Sequence, residues 1–198
     1  MLWNYVDFSD KDLQYAAIVI VLCPLIWNIL ARLEYYTRLI TKISFGNPYI
    51  GCYLLATWIF CFSIYRDILF TRAVNSQKKH SLMLQNESLC YYLGHGLIGI
   101  GGVFVLSSMY RLGVTGTYLG DYFGILMDQM VRDFPFNVMN NPMYDGASLC
   151  FLGQAIAACS PAGLLLSLEV FVVYRVALRF EGPFTTFIYS QRKVQKTK

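Results

Sequence analysis

Residues 88–110 read SLCYYLGHGLIGIGGVFVLSSMY and carry no formal charge over 23 positions. A helix of that length is about 35 Å long, because each residue adds about 1.5 Å along the axis. The hydrocarbon core of a bilayer is about 30 Å thick, so this stretch can cross a membrane with some tilt. Residues 43–65 form a second uncharged run of 23 residues. The two runs together predict an integral membrane protein.

Two further apolar regions flank these runs. Residues 13–31 contain Pro24 near their middle, and proline tends to kink a helix, so either a full crossing or a re-entrant helix fits them. Residues 146–180 are broken by Pro161 and Gly163, which favours a helical hairpin. We therefore expect an all-α, polytopic membrane protein with four to five apolar helices in a single domain over residues 1–198.

The composition excludes several functional classes. The chain is 56% hydrophobic and 14% charged, whereas about a quarter of an average soluble domain is charged. Its net charge of +4 is small, and the basic residues form no face with interleaved aromatic residues, so nucleic-acid binding is not indicated. The six cysteines form no C-x-x-C pair, so we expect neither a metal site nor a disulfide framework.

Residues 112–145 are neither a clean membrane span nor an ordinary loop, and a connection of this length is usually functional. Aromatic faces attract alkylated ammonium groups by about 0.5–2 kcal/mol each, so the stretch suits a methylated amine headgroup and equally a sulfonium. An aromatic belt at the lipid interface would account for part of the same set. The aromatic and acidic residues noted are Tyr118, Asp121, Tyr122, Phe123, Phe134, Phe136, Tyr144 and Asp145.

Two smaller features could hold a nucleoside. Gly99-Ile100-Gly101 is a G-x-G motif inside an apolar helix, which fits either close helix packing or a flat backbone surface for a ligand. Glu181 follows the last apolar region and is the first residue of the basic tail at residues 181–198. Its carboxylate could bind a ribose hydroxyl or a cationic amino group, or could be a solvated charge at a helix end.

Several motifs follow one another along nearly the whole chain. They are Pro24-Leu-Ile-Trp-Asn, Leu106-Ser-Ser-Met-Tyr, Gly116-Thr-Tyr-Leu-Gly-Asp-Tyr-Phe-Gly-Ile, Phe134-Pro-Phe-Asn, Asn141-Pro-Met-Tyr-x-Gly and Glu181-x-Pro-Phe-Thr-x-x-Ile-Tyr. Each motif alone is weak, but their order and spacing together are specific. In this order they resemble the phospholipid N-methyltransferases, especially the fungal enzymes of the later methylation steps and their animal counterparts.

The resemblance implies S-adenosylmethionine as methyl donor, without a metal. It implies phosphatidylethanolamine or its methylated derivatives as acceptor. The implied location is the endoplasmic reticulum membrane or the mitochondria-associated membrane.

The implied donor-binding residues are Gly99, Ile100, Gly101, Glu181 and Gly182, although Gly182 stands where the family has a second glutamate. The expected acceptor-binding residues are Tyr118, Tyr122, Phe123, Asn141 and Tyr144. By position, Asp121 or Tyr144 can accept the proton that the amine must lose. We expect phosphatidylcholine as product, made chiefly from the monomethyl and dimethyl lipids.

Two alternatives to this function stay open. Pro142 to Gly146 also resembles a motif of the isoprenylcysteine carboxyl methyltransferases, whose acceptor is an anion. Residues 112–145 contain only one basic residue, Arg132, so an amine acceptor is favoured. The other alternative is a non-catalytic membrane scaffold with the same fold.

The positive-inside rule does not choose between two topologies, since each places eleven basic residues on the cytosolic side. A terminal hairpin would bring residues 112–145 and Glu181 to one side of the membrane. Single crossings would separate them by about 30 Å of hydrocarbon. We therefore favour the hairpin, with both elements facing the cytosol, where the implied donor is made.

Overall fold

The computed structural model describes residues 5–128 and 131–196, and every regular element in these ranges is helical. Seven α-helices follow one another along the chain, with a short 3₁₀ helix at Gly120–Phe123 between the fifth and sixth. Residues 1–4, 129, 130, 197 and 198 lie outside the described ranges. Residues 129 and 130 belong to the predicted 112–145 connection, and residues 197 and 198 to the predicted basic tail. The helices are α1 (Lys11–Thr37), α2 (Leu39–Ile43), α3 (Pro48–Ser76), α4 (Ser81–Gln85), α5 (Glu87–Thr117), α6 (Pro142–Ala157) and α7 (Pro161–Lys196).

Within the described ranges, four helical segments are long and apolar enough to cross a membrane: Lys11–Thr37, Pro48–Ser76, Glu87–Phe123 and Pro161–Gln191. Their outer faces expose large apolar side chains such as that of Leu168, as expected for a protein surrounded by lipid. The prediction of an all-α polytopic membrane protein is confirmed.

The first apolar region forms one continuous helix, α1, that runs through Pro24. It contains 27 residues, about 40 Å of helix, so it is long enough to cross. Asp10 caps its first turn by accepting a hydrogen bond from the Leu13 amide at 2.8 Å. Near the proline, the Asn28 side chain donates to the Pro24 carbonyl at 3.0 Å. The crossing alternative thus describes this region better than the re-entrant one.

The last apolar region forms the expected hairpin. Helix α6 ends at Ala157, and α7 begins at Pro161 after a turn in which Cys159 adopts a left-handed conformation with φ of 53°. The Ser160 hydroxyl accepts a hydrogen bond from the Gly163 amide at 3.1 Å and so caps α7. Helix α6 has only 16 residues, about 24 Å of helix, and it packs against both α5 and α7.

Contacts between the helix ends show that the segments connecting the helices lie on two opposite sides of the bundle. On the first side, the Asp7 amide donates to the Gln77 side chain at 2.7 Å. There the His80 amide also donates to the Cys159 carbonyl at 3.0 Å. On the second side, which we call the site side, Thr185 of α7 donates to Asp121 at 2.8 Å. The segment that connects α5 to α6 therefore shares its side with the C-terminal half of α7.

Two pairs of glycines hold α5 and α6 close together. Gly94 lies against Gly153, and seven residues along each antiparallel helix Gly101 lies against Gly146. A Cβ atom added at any of the four would come closer than 3.0 Å to the partner's carbonyl oxygen. Small residues allow this backbone approach between membrane helices, so the glycines set the position of α6.

We expect Gly94→Ala to destabilise the protein by about 1–3 kcal/mol, because its methyl group would overpack the α5–α6 contact. Gly96→Ala on the same helix is the matched control, since a Cβ there meets nothing within 4 Å. Thermal unfolding of both variants in detergent micelles measures the difference. Equal melting temperatures for the two variants would contradict the packing role of Gly94.

The site side is expected to face the cytosol. Lys78 and Asn137 are exposed, Lys78 on the first side of the bundle and Asn137 on the site side. A membrane-impermeant maleimide added to the cytosolic face should therefore label Asn137→Cys and leave Lys78→Cys unlabelled until the membrane is permeabilised. The reverse pattern would overturn this orientation.

Candidate functional site

A buried carboxylate joins three helices near the site side of the bundle. Glu181 of α7 is 9% exposed, and its Oε1 atom accepts hydrogen bonds from Trp27 Nε1 at 2.9 Å and Asn28 Nδ2 at 2.7 Å. Its Oε2 atom accepts from the Tyr144 hydroxyl at 2.6 Å. Helices α1, α6 and α7 therefore meet at one side chain.

The local structure explains how these donors reach Glu181. Trp27 and Asn28 are adjacent on α1, and the unbroken helix carries both to the level of Glu181. Tyr144 is the third residue of α6, which begins at Pro142. Its ring packs edge-on against Tyr174 of α7 with centroids 4.9 Å apart.

Glu181 has no ion-pair partner among the described residues. Its donors are all neutral. The nearby ion pair joins Asp145 of α6 to Arg175 of α7. A carboxylate oxygen offers about two acceptor positions, so Oε2 keeps one position free. The Asn28 Oδ1 atom is likewise buried without a hydrogen-bond partner, so the site presents two acceptor oxygens.

Asp121 contacts α7 at Thr185, one turn beyond Glu181. It belongs to the 3₁₀ helix and accepts a hydrogen bond from Thr185 at 2.8 Å. Its neighbour Tyr122 is 0% exposed, and its ring stacks on that of Phe184 with centroids 5.1 Å apart. The predicted base Asp121 and the predicted base Tyr144 thus both contact α7 near Glu181.

The predicted aromatic residues do not form an open cage in this structure. Phe123 is 3% exposed and belongs to the main core, while Tyr122 packs in a separate small cluster with Ile188. Tyr118 is half-buried against the main core. Asn141 stands at the N-terminal cap of α6, where its carbonyl accepts from the Asp145 amide at 3.0 Å. Their role toward an acceptor stays a prediction.

The G-x-G motif is divided between two faces of α5. The face of Gly101 is filled by α6, whereas a Cβ at Gly99 meets nothing within 4 Å and Ile100 is exposed. A Cβ at Gly182 of α7 likewise meets nothing within 4 Å. Of the two glycines in the motif, Gly99 keeps an open backbone surface and Gly101 does not. Donor binding at the motif and at Gly182 stays a prediction.

Sequence reasoning missed the donors Trp27 and Asn28. Both lie in the quoted motif Pro24-Leu-Ile-Trp-Asn, but nothing in their spacing points to a residue some 150 positions later. Thr185 was missed in the same way, within the motif that begins at Glu181. A polar Asn inside an apolar span was the available signal, because such residues are seldom placed in membranes without a partner.

Comparisons with known proteins agree with the motifs. The profile of the phospholipid methyltransferase family matches residues 89–192. The phosphatidyl-N-methylethanolamine N-methyltransferase of Emericella nidulans is 49% identical over 197 residues, which cover 100% of this chain and 95% of that protein. The protein of the same name from Saccharomyces cerevisiae is 48% identical, over 98% of this chain and 93% of its own.

A mammalian relative matches equally fully. The phosphatidylethanolamine N-methyltransferase of Rattus norvegicus is 46% identical, over 100% of this chain and 98% of its own. No solved structure matches the chain. Since the profile covers more than half of the chain and these relatives match it almost from end to end, this chain belongs to the phospholipid methyltransferase family.

Proposed function

We propose that this multi-pass membrane protein is an enzyme that methylates the amine of phosphatidylethanolamine-type lipids. Its preferred acceptors are the monomethyl and dimethyl intermediates, and its product is phosphatidylcholine. The proposal rests on relatives that are named for methylating phosphatidyl-N-methylethanolamine or phosphatidylethanolamine. Four helices that can cross a membrane keep the chain in the bilayer, where such lipids lie. We place it in the endoplasmic reticulum membrane or the mitochondria-associated membrane.

The buried Glu181 carboxylate is the structural observation that supports an amine acceptor. With Oε2 only partly used and Asn28 Oδ1 unpaired, the site offers acceptor oxygens to groups that carry N–H, O–H or positive charge. An ammonium headgroup fits such acceptors. The carboxylate of a prenylated protein, which is the acceptor of the isoprenylcysteine enzymes, would be repelled.

We infer S-adenosylmethionine as the methyl donor, since a methyltransferase requires one. Its amino group and ribose hydroxyls are hydrogen-bond donors, so Glu181 and Asn28 suit it. Gly99, Ile100 and Gly182 are the remaining candidates for contact with its nucleoside, because a Cβ at either glycine meets nothing within 4 Å. When bound, its sulfonium supplies an activated methyl group.

The protein must also make the amine neutral. An alkylammonium loses its proton only near the pKa of lysine, about 10.4, so a base is needed at neutral pH. In our mechanism the ammonium proton passes to Tyr144 Oη, and the Tyr144 hydroxyl proton passes to Glu181 Oε2. The 2.6 Å hydrogen bond between these oxygens supports this relay. Asp121 is the second candidate base. It accepts a hydrogen bond from Thr185, which lies one turn beyond Glu181 on α7.

The protein's other task is to hold the amine in line with the methyl group. Well-oriented reactants at about 3–3.5 Å gain about 7–11 kcal/mol over reactants in solution. Since Glu181, Trp27, Asn28 and Tyr144 join three helices, the site is rigid enough for this. The burial of Glu181, which is 9% exposed, limits the access of water to it.

An acceptor assay tests the function directly. Purified protein, labelled S-adenosylmethionine and mixed micelles should yield product from monomethyl and dimethyl lipids at higher rates than from phosphatidylethanolamine. A prenylated cysteine peptide and lipid-free micelles are the negative controls. Equal or faster turnover of phosphatidylethanolamine would contradict the preference. Turnover of none of the three lipids would contradict the function.

Substitutions at the relay separate binding from proton transfer. Tyr144→Phe should lower kcat more than it raises KM, and the deficit should shrink as pH rises, because the neutral fraction of the amine then grows tenfold per pH unit. Glu181→Gln should weaken donor binding by about 1.5–3 kcal/mol through the loss of a charge-assisted hydrogen bond.

Glu169→Gln is the matched control for Glu181→Gln, since Glu169 lies on the same helix about three turns earlier. Steady-state kinetics from pH 7 to 9.5 and donor titration measure all three variants. A deficit of Tyr144→Phe that does not change with pH would rule out the relay. Unchanged donor affinity in Glu181→Gln would place donor binding elsewhere.

A further inference from the structure

A groove of about 330 Å³ runs between α1 and α7 on the outside of the bundle. On α1 its lining extends from Val21 to Arg32, and on α7 from Val172 to Phe180. On each helix the lining residues recur three or four positions apart, on one face of the helix. The groove therefore runs parallel to the two helices. The surrounding surface exposes large apolar side chains, so the groove opens toward lipid.

The length of the groove suits one leaflet. Val21 and Arg32 are eleven residues apart, about 16 Å along a helix. A hydrocarbon core is about 30 Å thick, so the groove spans about half of it. Its lining is aliphatic or aromatic except at Asn28 and Arg32, which lie toward the site side.

Arg32 closes the polar end with a guanidinium that has unused donors. Its Nη2 atom donates to the Phe180 carbonyl at 3.0 Å, and its Cζ atom lies 4.8 Å from the Phe184 ring centroid. Among the described residues no carboxylate forms an ion pair with it, and its Nε atom has no hydrogen-bond partner. The N–H donors of a guanidinium that has no carboxylate partner are complementary to the oxygens of a phosphate group.

The groove also leads to the candidate site. Asn28 lines the groove and donates to Glu181 at 2.7 Å. The Phe180 carbonyl that holds Arg32 belongs to the residue just before Glu181. A zwitterionic headgroup has an anionic phosphate next to an ammonium, and here a cation lies next to a carboxylate. The order of charges is therefore complementary.

We propose that the α1–α7 groove is the binding site of the acceptor phospholipid, with one acyl chain along the groove and the phosphate on Arg32. The headgroup amine then points toward Asn28 and Glu181. This inference rests on the proposed function, because it assigns that function's lipid to a place in the structure. A soluble phosphate compound would leave the apolar length of the groove empty, so the occupant is a lipid in the leaflet of the site side.

Photocrosslinking tests occupancy without activity. The full-length protein is reconstituted with a phosphatidyl-N-methylethanolamine that carries a diazirine within one acyl chain, and adducts are mapped by mass spectrometry. We expect adducts on residues 21–29 and 172–177, reduced by excess unlabelled lipid and not by glycerophosphoethanolamine. Adducts spread over all lipid-facing helices, or equal competition by the soluble compound, would overturn the proposal.

Kinetics test the two halves of the site. Arg32→Gln should raise the KM for lipid at least tenfold with unchanged donor affinity, and Arg32→Lys should restore part of the loss. Val176→Trp should fill the groove and raise the lipid KM similarly, whereas Leu168→Trp, an equally exposed α7 position outside the groove, should not.

The outcomes separate this inference from the function. If the unaltered protein methylates lipid but Arg32→Gln and Val176→Trp keep its lipid KM, the groove assignment fails and the function stands. If the unaltered protein methylates no lipid yet crosslinks in the groove as expected, the function fails and the lipid site stands. A donor affinity lost together with lipid KM in Arg32→Gln would reveal a structural role and contradict the phosphate assignment.

Discussion

A carboxylate inside an apolar bundle must be hydrogen-bonded, and the position of Glu181 imposes this requirement on the whole structure. An unpaired buried charge costs several kcal/mol, so α7 can pack against the bundle only where donors are provided. Trp27 and Asn28 provide them from α1, and Tyr144 provides one from α6. The registers of the three helices are therefore coupled at one side chain, and the same coupling gives the site its rigidity.

The glycine pairs between α5 and α6 provide the second constraint. Gly101 and Gly146 fix the depth at which α6 begins, and Tyr144 stands two residues before Gly146. The α5–α6 contact thus determines whether the tyrosine hydroxyl reaches Glu181. A motif that resembles a ligand-binding signature is in this way divided between packing at Gly101 and an open surface at Gly99.

The hairpin of α6 and α7 explains why a small chain can place its chemistry on one side. It returns the chain to the site side after α6, so that α7 extends past the bundle and binds the 3₁₀ helix through Thr185 and Phe184. The start of the connection after α5, at the 3₁₀ helix, is thereby held against α7. The α1–α7 groove lies beside this assembly, so in our proposal the lipid approaches from the bilayer and the methyl donor from the aqueous side.

The sequence alone determined the fold class, because uncharged runs of 23 residues have few stable arrangements other than membrane helices. The hairpin was predicted from Pro161 and Gly163, and the family from motifs whose order can be recognised in the sequence. The hydrogen-bond partners of Glu181 could not be predicted from the sequence. Trp27 and Asn28 are separated from it by some 150 residues, and no local sequence pattern indicates a long-range hydrogen bond. The burial of Tyr122 and Phe123 and the packing of Gly101 were likewise decided only by tertiary structure. Composition shows that a residue can bind a ligand, but the packing of neighbouring helices decides whether its face is free.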